Sequence, residues 1–188
     1  MITYKEALQE FIAAAKPKKE TETIPTLYGE GRILAEDVVS TICVPPWDNS
    51  QMDGYALRAA DIAAASEGAP VRLSVSQRIA AGTTGTELAP GTCARIFTGA
   101  PMPAGADCVV PQENVTAESG IVVFTRPAPA GAWVRKKAGD VDQGQTVAHA
   151  GEKLTPGILG LIASVGAAFV TVYKPCLLYT SDAADDKA

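Results

Sequence analysis

The sequence predicts an α+β fold rich in strands, with a β-barrel- or sandwich-like domain inserted into a small discontinuous α/β linker domain. Three observations carry this. Capped helical periodicity occurs near both ends, at residues 4–15 and 155–166. Between them run many short apolar or alternating segments. Gly- and Pro-rich turns separate those segments at close spacing, as in a barrel or sandwich. The division places residues 1–45 and 141–175 in the linker domain and 46–140 in the inserted domain. The remainder, 176–188, is expected to be disordered and foreign to the domain.

Thr3 and Glu6 form a capping box, and Tyr4, Leu8, Phe11, Ile12 and Ala15 then recur at helical spacing up to Pro17. Thr23–Tyr28, with Pro25 inside it, reads as an extended edge segment. A short helix or turn is expected around Gly29–Ala35, then a strand over Val38–Val44. Two prolines follow, Pro45 and Pro46, which withdraw backbone donors and exclude helix. Asp48, Asn49 and Ser50 favour turns through side-chain bonds to their own backbone. Gly54 allows positive φ just after Asp53, which puts that carboxylate on a sharp bend. From residue chemistry alone this stretch is a rigid loop with Trp47 packed.

Leu57–Ala65 is expected to be a short helix. Val71, Leu73 and Val75 alternate with polar residues, as do Cys93, Arg95 and Phe97, giving two strands. A type II turn is expected at Ala89-Pro90-Gly91-Thr92. Cys108–Pro111 and Ile121–Phe124 are two further strands, joined through a polar turn at Glu118–Gly120. Trp133–Arg135 starts another. Thr155-Pro156 reads as cap and first residue of the last helix, Gly166 as its terminating glycine, and Phe169–Tyr173 as a closing strand.

The 188 residues are 47% apolar and 20% charged, a globular composition. The formal charge is −5 without a basic face, which argues against nucleic acid. Cys43, Cys93, Cys108 and Cys176 are far apart, with no C-x-x-C pair, so zinc is disfavoured. Reduced, mostly buried thiols in a cytoplasmic protein are expected. His149 is the only histidine, which disfavours Ser-His-Asp and Cys-His catalysis; it reads as a surface residue. Gly157–Tyr173 sits at the short limit for a bilayer, about 17 residues. It is interrupted by Gly160 and Gly166, so it reads as helix then strand, and no membrane partner is expected.

Three constellations could carry chemistry. Asp48 and Asp53 are suited to Mg²⁺, but carboxylates also cap turns, and spacing does not decide. Thr98-Gly99 ends a strand, where a hydroxyl and free N–H groups suit a phosphate or oxyanion; a plain Pro-rich strand exit is the simpler reading. Arg135-Lys136-Lys137, ahead of Asp140 and Asp142, is the only dense basic run. It could grip a phosphate beside a metal-binding carboxylate, or be a solvated strand end. Glu113 is a further candidate of low specificity.

Four blocks resemble the molybdopterin molybdenumtransferase family, which includes the E domain of gephyrin. They are GRILAEDVVS (Gly31–Ser40), VPPWDNSQMDGYALRAADI (Val44–Ile62), RIFTGAPMPAGADCVVPQE (Arg95–Glu113), and the run from Val134 through AGDVDQG to LTPGILGLIASVG and VTVYKP. The resemblance covers Met1 to about Pro175. It implies insertion of molybdenum, supplied as molybdate, into adenylylated molybdopterin, assisted by Mg²⁺. Asp53, Thr98 and Asp140 match the family's active-site residues. Arg135, Lys136, Lys137 and Ser50 are implied to bind substrate, and Asp53 and Asp140 to hold the metal. A homodimer is implied, with molybdopterin adenylyltransferase as the upstream partner. Two departures stand out. The family's Gly-Glu-Asp is Ala138-Gly139-Asp140 here, and the family's third, pterin-nucleotide-binding domain has no counterpart in Cys176–Ala188. The resemblance therefore implies a truncated chain, inactive alone, whose active site has another wall elsewhere, or else a binding or dimerisation module without catalysis.

Overall fold

The structure is a computed structural model that describes residues 2–14 and 20–175; the expected disordered, foreign tail lies outside the described residues. Its elements are α1 (Tyr4–Ala14), β1 (Thr21–Pro25), β2 (Val38–Val39), β3 (Asn49–Ser50), β4 (Gly54–Leu57), β5 (Val71–Ile79), β6 (Thr92–Ile96) and β7 (Cys108–Pro111). They continue with β8 (Thr116–Glu118), β9 (Ile121–Phe124), β10 (Val134–Arg135), β11 (Thr146–Ala148), α2 (Pro156–Ser164) and β12 (Phe169–Tyr173). The fold is α+β and strand-rich, as expected. The described residues within Met1–Ser40 and Thr146–Ala188 form one unit, and Thr41–Gln145 form another.

In the first unit, β1 pairs antiparallel with β12, and β2 with β11. Thr155 caps α2 by accepting the Ile158 N–H, and Pro156 occupies the first turn, where no N–H is needed. Gly166 follows the last turn at φ +78°, a left-handed position that favours glycine. Leu34, Ala148, Leu154, Ile162, Val170 and Val172 close the core. The capping box of α1 also forms: the Thr3 N–H and hydroxyl donate to Glu6 at 2.7 and 2.9 Å, and the Glu6 N–H donates back to the Thr3 hydroxyl. None of the α1 side chains is buried.

The second unit is built on an open six-stranded sheet in the order β7-β4-β6-β5-β9-β8. Only the β5–β6 pair is parallel. Its interior strands alternate between two cores. Tyr55, Leu57, Cys108 and Val110 pack with Phe124 on one face, while Ala56, Val109, Ile96 and Ile79 pack on the other. Both β4 and β7 are buried along their whole length, which is why CVVP reads as a continuous apolar run.

Several local expectations change. Leu57–Ala65 is no helix: Leu57 ends β4, and Ala59–Ile62 forms a single 3-10 turn. Tertiary bonds override the helix propensity of its alanines. The Ala59 N–H donates to the Asp107 carboxylate, and the Arg58 guanidinium donates to the Gly105 and Leu88 carbonyls. The strand over Val38–Val44 shrinks to β2, with Val44 bridging separately to Val141. Of the short helix or turn expected at Gly29–Ala35, the turn forms, followed by isolated bridges at Ile33 and Leu34. The polar turn at Ser119-Gly120, with φ +50° and +80°, joins β8 to β9 and not β7 to β9; β7 pairs with β4 instead. Trp47 is 52% exposed, so the loop is not anchored by a packed indole. The type II turn at Pro90-Gly91 does form, with Gly91 at φ +71°. Among the described residues, no helix is long and apolar enough to cross a membrane.

Gly54 does not adopt positive φ. Its role is close approach: a Cβ there would stand 2.2 Å from the Val110 carbonyl oxygen. Gly54→Ala is therefore expected to destabilise the chain by about 3 kcal/mol or more in urea unfolding, because backbone of a buried strand must move. An unchanged midpoint would refute the contact. Burial also pushes the Cys93 and Cys108 thiols up to about 12. Both are expected to resist iodoacetamide at neutral pH in the native chain and to react after denaturation, read by peptide mass spectrometry.

Candidate functional site

The site grows from the short ladder between β3 and β10, in which Val134 opposes Ser50 and Arg135 opposes Asn49. It lies entirely within Thr41–Gln145. The Val44–Pro45 peptide leading into it is cis. Ser50 is 1% exposed, and its hydroxyl donates to the Met52 carbonyl at 2.6 Å. That bond shapes the turn from β3 to Asp53. Gly99 donates its N–H to the Ser50 carbonyl at 2.9 Å, which brings the exit of β6 alongside.

At that meeting point Asp53 and Thr98 touch. The Thr98 N–H and hydroxyl both donate to Asp53 Oδ1, each at 2.8 Å. These two bonds, with a weaker contribution from the Arg95 charge, hold the Asp53 carboxyl below the usual carboxylate range. The donors expected to be free for an oxyanion are thus engaged: Thr98 serves Asp53, and the Gly99 and Ala100 N–H groups serve carbonyls. Asp53 Oδ2 accepts no hydrogen bond among the described residues.

The basic run lies on the other side of β3. Lys136 Nζ donates to Asp48 Oδ2 at 2.7 Å, and the Lys137 N–H donates to Asp48 Oδ1 at 2.8 Å. These bonds lower the Asp48 pKa, the Lys136 side chain most. Arg135 pairs with Asp140 Oδ2. Ala138, at φ +60°, makes the reversal that returns Asp140 towards β10, and its N–H donates to the Pro45 carbonyl at 3.0 Å. The Lys137 ammonium has no acceptor among the described residues. The expected residues therefore form two clusters flanking one ladder: Asp53–Thr98, and Asp48–Lys136–Lys137 with Arg135–Asp140. Glu113 belongs to neither cluster and accepts from the Gln112 side-chain amide.

Arg95 was not legible as a site residue in the sequence. Its guanidinium donates to the Gly54 carbonyl at 3.2 Å and to Gln112 Oε1, and it lies over the Tyr55 and Phe97 rings. Only the β4–β6 register, which pairs Tyr55 with Arg95, brings it to Asp53.

Residues 2–166 match the family described as MoeA N-terminal region (domain I and II). The chain belongs to this family. It is 39% identical over 177 residues to a molybdopterin molybdenumtransferase of Synechococcus elongatus, covering 93% of this chain and 44% of that protein. It is 41% identical over 151 residues to molybdopterin molybdenumtransferase 2 of Mycobacterium tuberculosis, covering 80% of this chain and 37% of that protein. Among solved structures, the molybdopterin biosynthesis MoeA protein of Pyrococcus horikoshii OT3 superposes with a TM-score of 0.88 at 32% identity, over 92% of this chain and 46% of that one. This member of the MoeA N-terminal family thus spans less than half the length of the relatives it matches.

Because the folded-state Asp53 carboxyl titrates below its unfolded value, its ionised form adds stability above the unfolded pKa. That stability is lost as pH falls through the folded pKa. Thr98→Val removes one donor, so the Asp53 pKa is expected to rise and this acid window to narrow, measured by carboxyl carbon NMR titration. An unmoved titration would show that the Thr98 hydroxyl does not set it.

Proposed function

We propose that this chain supplies the N-terminal part of a molybdopterin molybdenumtransferase, which inserts molybdate-derived molybdenum into adenylylated molybdopterin. The observation that supports this most is the Asp53–Thr98 pair beside the β3–β10 ladder in a chain of the MoeA N-terminal family. In this reading Asp53, Thr98 and Asp140 are the active-site residues. Arg135, Lys136 and Lys137 hold the anionic groups of the substrates, with the Lys137 ammonium the readiest because no carboxylate among the described residues engages it. Ser50 contributes by fixing the turn that aims Asp53.

The donor set suits Mg²⁺. Asp53 Oδ2 and Asp140 Oδ1 accept no hydrogen bond among the described residues, and Mg²⁺ ordinarily takes one or two carboxylates with water and substrate oxygens. No group of three acidic, His or Cys ligands exists among the described residues, so a dedicated protein cage is not what this site offers. Bound there, the ion would draw charge from the phosphoanhydride oxygens. The chain's own residues do the rest: cations orient the anions, and Thr98 holds Asp53 Oδ1 in place.

The reading includes a homodimer, a cytoplasmic setting and delivery of substrate by molybdopterin adenylyltransferase. A second reading, a binding or dimerisation module, draws on α1, where Tyr4, Phe11 and Ile12 are 84%, 76% and 66% exposed. One assay separates them. Molybdenum insertion is measured with this chain alone and after adding the remaining part of a full-length relative. Restored turnover that falls about 100-fold with Asp53→Ala is expected, the scale of losing one preorganised charged group. No restoration, or an Asp53→Ala chain equal to the parent, would sink the transferase reading.

A further inference from the structure

We propose that Arg78 and Arg95, held on the Phe97 ring, form a binding site for a tetrahedral oxyanion of the phosphate class. In the parallel pairing of β5 with β6 these two arginines are direct cross-strand partners. Like charges placed opposite each other cost stability unless something compensates. Part of the compensation is Phe97: the guanidinium carbons of Arg78 and Arg95 lie 4.5 and 4.7 Å from its centroid. No carboxylate forms an ion pair with either arginine among the described residues. Arg95 spends two donor contacts on the neutral acceptors Gly54 and Gln112, and the Arg78 side chain donates to none among the described residues. A guanidinium carries five N–H donors, so most of this capacity remains open.

The nearby acids leave the balance positive. Asp53 feels the Arg95 charge, but its Oδ1 is occupied by Thr98. Glu113 accepts from the Gln112 amide and from no guanidinium. Asp53 couples to Arg95, and two cations against that one carboxylate leave one net positive charge among these groups. Stacking on an aromatic ring orients the planar groups in advance, so an incoming anion orders little side chain. Arg78 and Thr98 are solvent-exposed and Phe97 half-exposed, so the cluster is open to solute. The fit is to a compact dianion whose oxygens meet several forked N–H groups, as phosphate does. This inference rests on the β5–β6 geometry and does not require the transferase reading.

The test titrates the whole chain with inorganic phosphate, and separately with a phosphate monoester such as phenyl phosphate, by calorimetry. Saturable binding is expected, weakened about tenfold by Arg78→Gln, the scale of one charge-assisted contact. Arg72→Gln, an exposed arginine on the same strand, is expected to bind as the parent does. Binding of inorganic phosphate alone would make the ligand a free oxyanion; equal or tighter binding of the monoester would make it a substituent phosphate. No saturable binding, or equal losses in Arg72→Gln and Arg78→Gln, would overturn the site and leave the pair as a structural stack. Should Arg78→Gln fold poorly, phenylglyoxal modification of the unaltered chain decides: phosphate protects Arg78 if the site exists, and does not if it is absent. Turnover enters none of these readouts, so failure here leaves the transferase reading standing, and failure of that reading leaves this one.

Discussion

The approach of Gly54 to the Val110 carbonyl governs the larger unit. No side chain fits between these two strands at that point, since a Cβ would stand 2.2 Å from the oxygen. Strand β4 is thereby held tightly against β7 on one side while it pairs with β6 on the other. The Asp53 side of the site hangs on that clamp. The residue before Gly54 is Asp53, whose carbonyl takes the Gln112 N–H just beyond β7. Its carboxylate takes Thr98 just beyond β6. The Gly54 carbonyl itself takes Arg95. A carboxylate on a loop would ordinarily wander; here three strands fix its backbone and one residue fixes its oxygen.

Charge in this region is arranged for orientation more than for stability. The pairs Lys136–Asp48 and Arg135–Asp140 are substantially exposed, and such pairs contribute about 0–1 kcal/mol each. Their effect is geometric. Asp48 binds both the Lys136 ammonium and the Lys137 backbone, so an acid 88 residues earlier in the chain sets the shape of the basic turn. Arg135 and Lys136 are each matched to an acid, which leaves Lys137 as the member unmatched among the described residues. Across β3, Asp53 is matched to a hydroxyl and an amide instead, so its charge is stabilised without being neutralised. The two carboxylate environments therefore differ: Asp48 is neutralised by an ammonium, and Asp53 is held by neutral donors.

Much of the fold was legible. Caps, terminating glycine and turn residues act over three or four positions, so Thr3–Glu6, Thr155–Pro156, Gly166 and Pro90–Gly91 each fold as local chemistry directs. Alternation located β5 and β6, because a half-buried strand writes its faces into every second residue, and continuous apolar runs located β7 and β9. The failures share one cause. Leu57–Ala65 has the composition of a helix, but bonds to Asp107, Gly105 and Leu88 hold its start extended. Trp47 has the composition of a core residue, yet nothing local can say that the loop turns it outward.

For the site, the sequence by itself determined which residue types were present and, through its resemblance to a family, which of them to watch: Asp53, Thr98, Asp140 and the run Arg135–Lys137. It also determined that Gly54 matters, though for close packing and not for the positive φ that a bend would require. Tertiary structure alone decided who touches whom. The register of β4 against β6 joins Tyr55 to Arg95 and brings Asp53 to Thr98, contacts 40 to 45 residues apart along the chain. The register of β5 against β6 sets Arg78 beside Arg95. Register depends on how two buried faces interlock, and a shift of one residue would turn every one of these side chains to the opposite face.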